Sequence, residues 1–432
     1  MPGKDKTGAA NGPRARPGYL PSLSGGIPFV LAVYGASRLF YFVAGSLLAA
    51  YLPVGPFHGR TLDIPPGRLN IWAHWDGVWY SRIAAEGYGK IAWDGASYSQ
   101  AMEGYGTTAS TAFFPLYPLL MRSFAGLFGG PLSLEALSLW GVLISLTALP
   151  FAFYFIYRIA EDGWGERVAK GTVLIMAFFP TTFFLNAVYT ESLFLALSAG
   201  SLWALRVRRN LLLACVLAGL ATATRNVGVF LLVPLAYEWL RGDAGRGYGP
   251  VRGAACLALA SSGLFFYAAY LWRSFEDPLL FYDAQGYWNR NPTDPLTFVV
   301  SILREAYESL ASLALPWSSA SLEELLSRLN GTTDAYNFLF LIFTLAMLLL
   351  GLRVLPLSLS AYALLLVIPA ALFGKPETPL IGFPRYLIAA FPLFIVLAVL
   401  LKDRRTLGIW LISSAAFSLA LCALFVSWRF TA

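Results

Sequence analysis

The sequence predicts an all-α polytopic membrane protein, a bundle of about eleven transmembrane helices with two large loops on one face. Three observations predict it. Of its 432 residues, 57% are hydrophobic and only 13% are charged, about half the charged share of an ordinary soluble domain. Apolar runs recur from end to end, many near the roughly twenty residues that cross a hydrocarbon core. The basic residues gather on alternate short loops, as they do on the cytoplasmic side of membrane proteins.

Residues 1–27 read as a polar, disordered cytoplasmic tail carrying Lys4, Lys6, Arg14 and Arg16. The apolar run that follows is long enough to span, and no small-residue cleavage site follows it, so it reads as an anchor and not as a signal. Residues 28–432 read as one domain. Spans are expected at 28–51, 136–157, 168–188, 191–205, 210–224, 226–240, 253–272, 335–352, 354–373, 386–401 and 407–428. The three runs between 191 and 240 are short. The apolar stretch 113–128 contains Pro115 and Pro118, which predicts a re-entrant or broken helix. Two outer loops, about 52–135 and 273–334, carry Trp and Tyr in helix-like and turn-like stretches and do not read as linkers. No heptads or internal repeats are evident.

Charge sets the orientation. With the tail in the cytoplasm, the inner segments are 1–27, 158–167, 206–209, 241–252, 353 and 402–406. They hold more than half of the 31 basic residues, while most of the 24 acidic ones fall outside. Arg206, Arg208 and Arg209, then Lys402, Arg404 and Arg405, are the strongest inside signals. The net charge of +7 is thereby explained by a bilayer, with no nucleic acid needed. The aromatic content of 16% suits two lipid–water interfaces. The cysteines, at 215, 256 and 422, lie in apolar runs and outline no disulfide frame. The two histidines, His58 and His74, cannot make a zinc site alone. No metal or other cofactor is expected, although a carboxylate-only metal site stays open.

Five stretches carry chemistry. In the first, Trp72, Trp75, Trp79 and Ile83 recur at helical spacing, which predicts one apolar stripe on a helix lying in the outer interface. Asp76 would point away from the centre of that stripe. A carboxylate partly desolvated beside aromatics suits a general base, and a solvated surface Asp is the alternative. His74, Trp75, Tyr80 and Glu86 around it are candidates for holding an acceptor or a sugar. In the second, Tyr189-Thr190-Glu191-Ser192 sits between two spans. Thr190 fits an N-cap with Glu191 in the first turn, or Glu191 lines a site at the outer mouth of the bundle. In the third, Arg225, followed by Asn226, interrupts a long apolar stretch. Such a charge costs at least about 2.5 kcal/mol at the centre of a span and needs a partner, for instance Glu191, or a ligand such as phosphate. The fourth holds Gln285 and Trp288 among Tyr and Asp residues, a mixture that suits sugar rings and equally an ordinary interfacial segment. The fifth, 374–386, places Lys375 and Arg385 on an outer loop against the inside bias. Arginine can fork a phosphate; snorkelling to headgroups is the alternative. The charge-derived topology puts Asp76, Glu191, Arg225, Gln285, Lys375 and Arg385 on one side of the membrane.

These stretches carry a resemblance. Trp75-Asp76 with Ile83-Ala84 and Gly87-Tyr88 come first, then Ala112-Phe113-Phe114-Pro115-Leu116-Tyr117-Pro118. Tyr189-Thr190-Glu191-Ser192, Arg225-Asn226, Asp277-Pro278 with Gln285 and Trp288, and Pro384-Arg385-Tyr386 follow. In that order, over about residues 28–400, the chain resembles the PIG-V family, the GPI mannosyltransferase II family with its bacterial relatives. The resemblance implies a GT-C glycosyltransferase, which takes its sugar from a polyprenyl or dolichyl phosphate on the luminal or periplasmic face. It implies Asp76 as the base and inversion at the anomeric carbon. It implies Arg225 and Arg385, with Lys375, on the lipid-phosphate leaving group. Glu191 would orient the acceptor or Arg225. The implied partners are a polyprenyl-phosphate mannose donor, a glycolipid or glycan acceptor and the bilayer, with a bacterial plasma membrane as the location. Trp79-Tyr80 stands where eukaryotic members typically carry a His-Phe pair, which points away from a GPI anchor as the acceptor.

Two other classes compete: a transporter or flippase for a lipid-linked or polar substrate, and a non-catalytic subunit of a glycosylation complex. Transporters often show inverted repeats and broken helices near the midplane. Here no repeat is found, and the polar residues collect at one face.

Overall fold

The computed structural model describes residues 26–55, 70–89, 106–242, 248–288, 294–314, 321–374 and 379–429. The chain is an all-helical integral membrane protein, with no strand among the described residues. Those residues form eighteen α-helices. They are α1 Ile27–Tyr51, α2 Asp76–Glu86, α3 Leu116–Leu127, α4 Leu134–Trp164, α5 Glu166–Ala177, α6 Glu191–Arg206, α7 Leu211–Thr224, α8 Leu232–Leu240 and α9 Pro250–Ala260. The rest are α10 Ser262–Phe275, α11 Leu280–Asp283, α12 Pro295–Leu313, α13 Leu322–Gly331, α14 Thr333–Val354, α15 Leu357–Leu372, α16 Phe383–Tyr386, α17 Pro392–Leu400 and α18 Arg404–Val426.

Among the described residues, four helices are individually long and apolar enough to cross a membrane: α1, α4, α14 and α18. Two bent pairs raise this to six. The helices α9 and α10 meet at 56°, and the segments Phe383–Ala389 and Pro392–Leu400 meet at 87°. Several expected spans are shorter helices, with 14 residues in α7 and 16 in α15. The proline-containing stretch at 113–128 yields the short helix α3.

The expected span at 168–188 is broken. α5 stops at Ala177, three residues before Pro180, which lacks an amide donor and would press its ring on the carbonyl four residues earlier. Residues 178–190 then run without α-helix, apart from a 3-10 turn at Thr182–Asn186. Such backbone is tolerated at membrane depth only where protein satisfies it, and protein does. Arg38, buried on α1, donates to Ala177 O at 3.3 Å, Thr182 O at 3.2 Å and Asn186 Oδ1 at 2.7 Å. Ser145 donates to Ala187 O at 2.9 Å and Tyr189 O at 3.2 Å, and Val188 N donates to Trp72 O at 2.8 Å.

α4 is the hub, packing against α1, α2, α3, α5 and α6. Its Pro150 leaves the carbonyl of Leu146 without its helical donor, and Tyr34 OH donates to that carbonyl at 3.0 Å. Gly141 lets α4 close on the irregular segment: a Cβ there would lie 2.5 Å from Val188 Cγ1. At the Arg206 end of α6, Arg206 pairs with Glu238 and donates to Ser358 Oγ at 2.7 Å. Arg167 donates to Lys402 O. These contacts join 167 with 402, and 206 with 238 and 358. The sixteen residues of α6 put Arg206 about 22 Å from Glu191, at the opposite end of the bundle.

Candidate functional site

Four elements deliver four charges to one place. The first is the start of α2. The expected helical stripe across Trp72, Trp75, Trp79 and Ile83 does not form, because the helix begins only at Asp76. Trp72 closes a 3-10 turn at Asn70–Trp72, and Trp75 adopts φ 55°, a strained conformation for a bulky residue. Trp72, Trp79 and Ile83 are buried in protein and do not lie in a lipid interface. Tyr80, one turn beyond Asp76, packs edge-on against Phe113 and Tyr117 with centroids 5.1 and 5.2 Å away.

Glu191 opens α6, where the irregular segment ends. Thr190 does not cap that helix with its side chain. Its Oγ1 instead accepts from Arg225 Nη1 at 3.2 Å and lies 3.3 Å from Tyr80 OH. Arg225 sits in extended backbone just past α7, and its Nη1 donates to Glu191 Oε1 at 2.8 Å. The pairing alternative for Arg225 is thus the arrangement present. Arg385 lies in the short turn α16, entered through Gly382 at φ 75° and Pro384. Its Nη1 donates to Asp76 Oδ2 at 2.7 Å, its Nη2 donates to Tyr386 OH at 2.8 Å, and its Nε is 3.3 Å from Glu191 Oε1. Arg385 is buried and does not snorkel. Its guanidinium lies over Tyr386 at 4.8 Å, Tyr189 at 5.1 Å and Phe184 at 5.7 Å, which adds cation–π attraction in a desolvated setting.

The result is an alternating chain, Asp76–Arg385–Glu191–Arg225, with no net charge. Charges this buried are tolerated because each is paired. Burial pushes the Tyr80 phenol above its ordinary value, so at neutral pH it remains a neutral hydrogen-bonding group and not a base. Both carboxylates already face arginines, which does not suit a bound cation. Among the described residues no cluster of three His, Cys, Asp or Glu could hold a metal.

The remaining candidates are not among the four linked charges and make other contacts. His74 is buried, with Nδ1 3.1 Å from Phe425 O and its ring stacked on Trp428 at 3.9 Å; its contacts tie down the C-terminal segment. Trp75 packs near Trp428, centroids 5.8 Å apart. Glu86 is exposed at the far end of α2, about 15 Å along the helix from Asp76, and is not part of the charge chain. Asn226 Oδ1 accepts from Val227 N at 2.8 Å, a local turn contact. Gln285 Nε2 donates to Phe281 O at 3.4 Å, within its own segment. Lys375 and the Trp288 side chain lie outside the described residues.

Sequence reasoning missed Tyr386, Tyr189 and Phe184 as the aromatic box around Arg385, although Tyr386 adjoins it in the Pro384-Arg385-Tyr386 motif. It also gave no role to Arg38, whose signal was a charge in the middle of a span.

No protein-family model matches the chain, and no curated protein matches it. Among solved structures, it is similar to ArnT from Cupriavidus metallidurans in the apo state, at 15% identity and a TM-score of 0.44, over 90% of this chain and 63% of that one. It is also similar to the apo oligosaccharyltransferase of Archaeoglobus fulgidus, at 13% identity and a TM-score of 0.42, over 91% of this chain and 56% of that one. The chain thus spans less than two thirds of either protein, and likenesses this distant say nothing about its activity.

Proposed function

We propose that the chain is a polyprenyl-phosphate-sugar-dependent glycosyltransferase of the GT-C type, acting on the extracytoplasmic face, and most narrowly an inverting mannosyltransferase. The observation that carries the reading is the direct contact of Asp76 with Arg385 at 2.7 Å, across 309 positions of sequence. The residues expected to supply the base and the phosphate ligand share one half-buried polar cluster with Glu191 and Arg225.

The chemistry follows from those groups. Asp76 takes the proton of the acceptor hydroxyl while that oxygen bonds to the anomeric carbon. The bond from that carbon to the donor phosphate breaks on the opposite side, and its electron pair leaves with the phosphate oxygen. Configuration at carbon inverts. Arg385, backed by Arg225, offsets the charge that develops on the leaving phosphate. Glu191 holds both guanidiniums in register.

A transporter is the second reading, favoured by the breaks at 56° and 87° in two helix pairs, since transporters commonly use discontinuous helices. One assay separates the two. Purified protein is incubated with radiolabelled polyprenyl-phosphate mannose and a membrane extract. An enzyme yields labelled product, and Asp76→Asn lowers the rate by about 10²–10⁴-fold at unchanged protein abundance. No product from the wild type removes the enzyme reading. A near-normal rate for the Asn variant removes Asp76 as the base.

A further inference from the structure

We infer that the Asp76–Arg385 ion pair is a latch opened by the donor phosphate itself, so that the base is released only once the donor is bound. The inference rests on the glycosyltransferase reading above and adds an order of events to it.

The geometry of one guanidinium carries it. Arginine grips a phosphate with two parallel N–H donors, taken from one edge of its planar fork. The end-on edge of Arg385 is already committed. Nη1 donates to Asp76 and Nη2 to Tyr386 OH; Nε makes no hydrogen bond among the described residues but lies 3.3 Å from the buried Glu191 carboxylate. A phosphate that forks onto the end-on edge therefore displaces Asp76.

The two carboxylates are not held equally. The Glu191 side chain is 5% exposed, and its Oε1 also accepts from Arg225 at 2.8 Å. The Asp76 side chain is 30% exposed, and Arg385 is its only ion-pair partner among the described residues. A phosphate at the Nε edge would press its charge on the buried Glu191 carboxylate, which Arg225 holds in place, whereas the partly exposed Asp76 carboxylate can turn to solvent when released. The phosphate thus replaces Asp76, and Glu191 stays as the fixed support of both arginines. Before that exchange, Asp76 Oδ2 is occupied by the Arg385 guanidinium at 2.7 Å and does not meet an acceptor hydroxyl. After it, the same oxygen is free for the acceptor hydroxyl. Donor first and acceptor second becomes the compulsory order.

The test is binding, with polyprenyl phosphate as the probe and full-length protein in lipid nanodiscs. Asp76→Asn removes the competing charge, so the variant binds the probe about fivefold more tightly than the wild type. Arg385→Ala binds it at least about tenfold more weakly. Equal or weaker binding by Asp76→Asn, with Arg385→Ala still impaired, overturns the latch and leaves Arg385 as a phosphate ligand. Binding by Arg385→Ala at the wild-type affinity overturns the donor-phosphate reading itself. If the Asn variant does not fold, Asp76→Ser makes the same comparison, since serine is well tolerated at a helix start.

Discussion

Glu191→Gln neutralises the centre of the charge chain while preserving volume. Glu191 Oε1 lies 2.8 Å from Arg225 Nη1 and 3.3 Å from Arg385 Nε. The substitution leaves two guanidiniums facing one carboxylate, Asp76. Removing one partner of a buried pair costs about 3–5 kcal/mol. Two effects reduce that figure here. Arg225 is 19% exposed, so water recovers part of its solvation. The glutamine carbonyl can still accept a hydrogen bond, worth about 1 kcal/mol. A net loss of about 2–3 kcal/mol remains. The three cysteines are free and buried, so a thiol-reactive fluorophore reports unfolding as the detergent-solubilised protein is heated. The variant should melt well below the wild type. A double-mutant cycle with Arg225→Met should return a coupling of about 1–3 kcal/mol. A wild-type melting curve, or a coupling under about 0.5 kcal/mol, would refute the view that Glu191 holds the two cations together.

Other substitutions test the scaffold. Arg38→Met orphans the carbonyls of Ala177 and Thr182 and the amide oxygen of Asn186, and should cost about 3 kcal/mol in the same melt. Arg38→Lys should rescue little of this, because an ammonium lacks the planar fork that reaches three acceptors. Gly141→Ala puts a methyl 2.5 Å from Val188 Cγ1 and should cost about 1–3 kcal/mol; Val188→Ala in the same protein should restore most of it, and failure to do so would locate the strain elsewhere. Glu86→Gln, outside the charge chain, should leave sugar transfer within about twofold of the wild type.

Much of the fold was legible because lipid imposes simple rules. Long apolar runs with few charges gave α1 to within one residue and α14 and α18 to within three, while α4 runs seven residues past its expected end to Trp164. Legibility failed where tertiary contacts override pattern. Nothing in the spacing of Trp72, Trp75 and Trp79 reveals that Trp75 adopts φ 55°, and the apparent stripe belongs to two elements separated by a turn. The break after Ala177 was signalled by Pro180, but its tolerance depends on Arg38, which lies 139 positions from the carbonyl of Ala177. The site was legible as charges, since Asp76, Glu191, Arg225 and Arg385 stand out where membrane protein sequences are otherwise apolar. Their mutual pairing was not, apart from Arg225 with Glu191. Residues such as Glu86 and His74 looked alike in sequence because proximity along the chain cannot tell a side chain facing solvent from one stacked against a distant tryptophan.

The pairing of Asp76 with Arg385 also bears on biogenesis. Arg385 and Pro384, whose carbonyl accepts from Thr181 at 2.9 Å, reach the bilayer only after most of the chain has been inserted. Glu191 and Arg225 can join as soon as their own helices are in place. Asp76 must wait, exposed or provisionally solvated, for a turn synthesised some three hundred residues later. An insertion intermediate arrested before α16 would therefore carry a half-built polar centre, a defect that quality-control proteases and chaperones of the membrane could recognise.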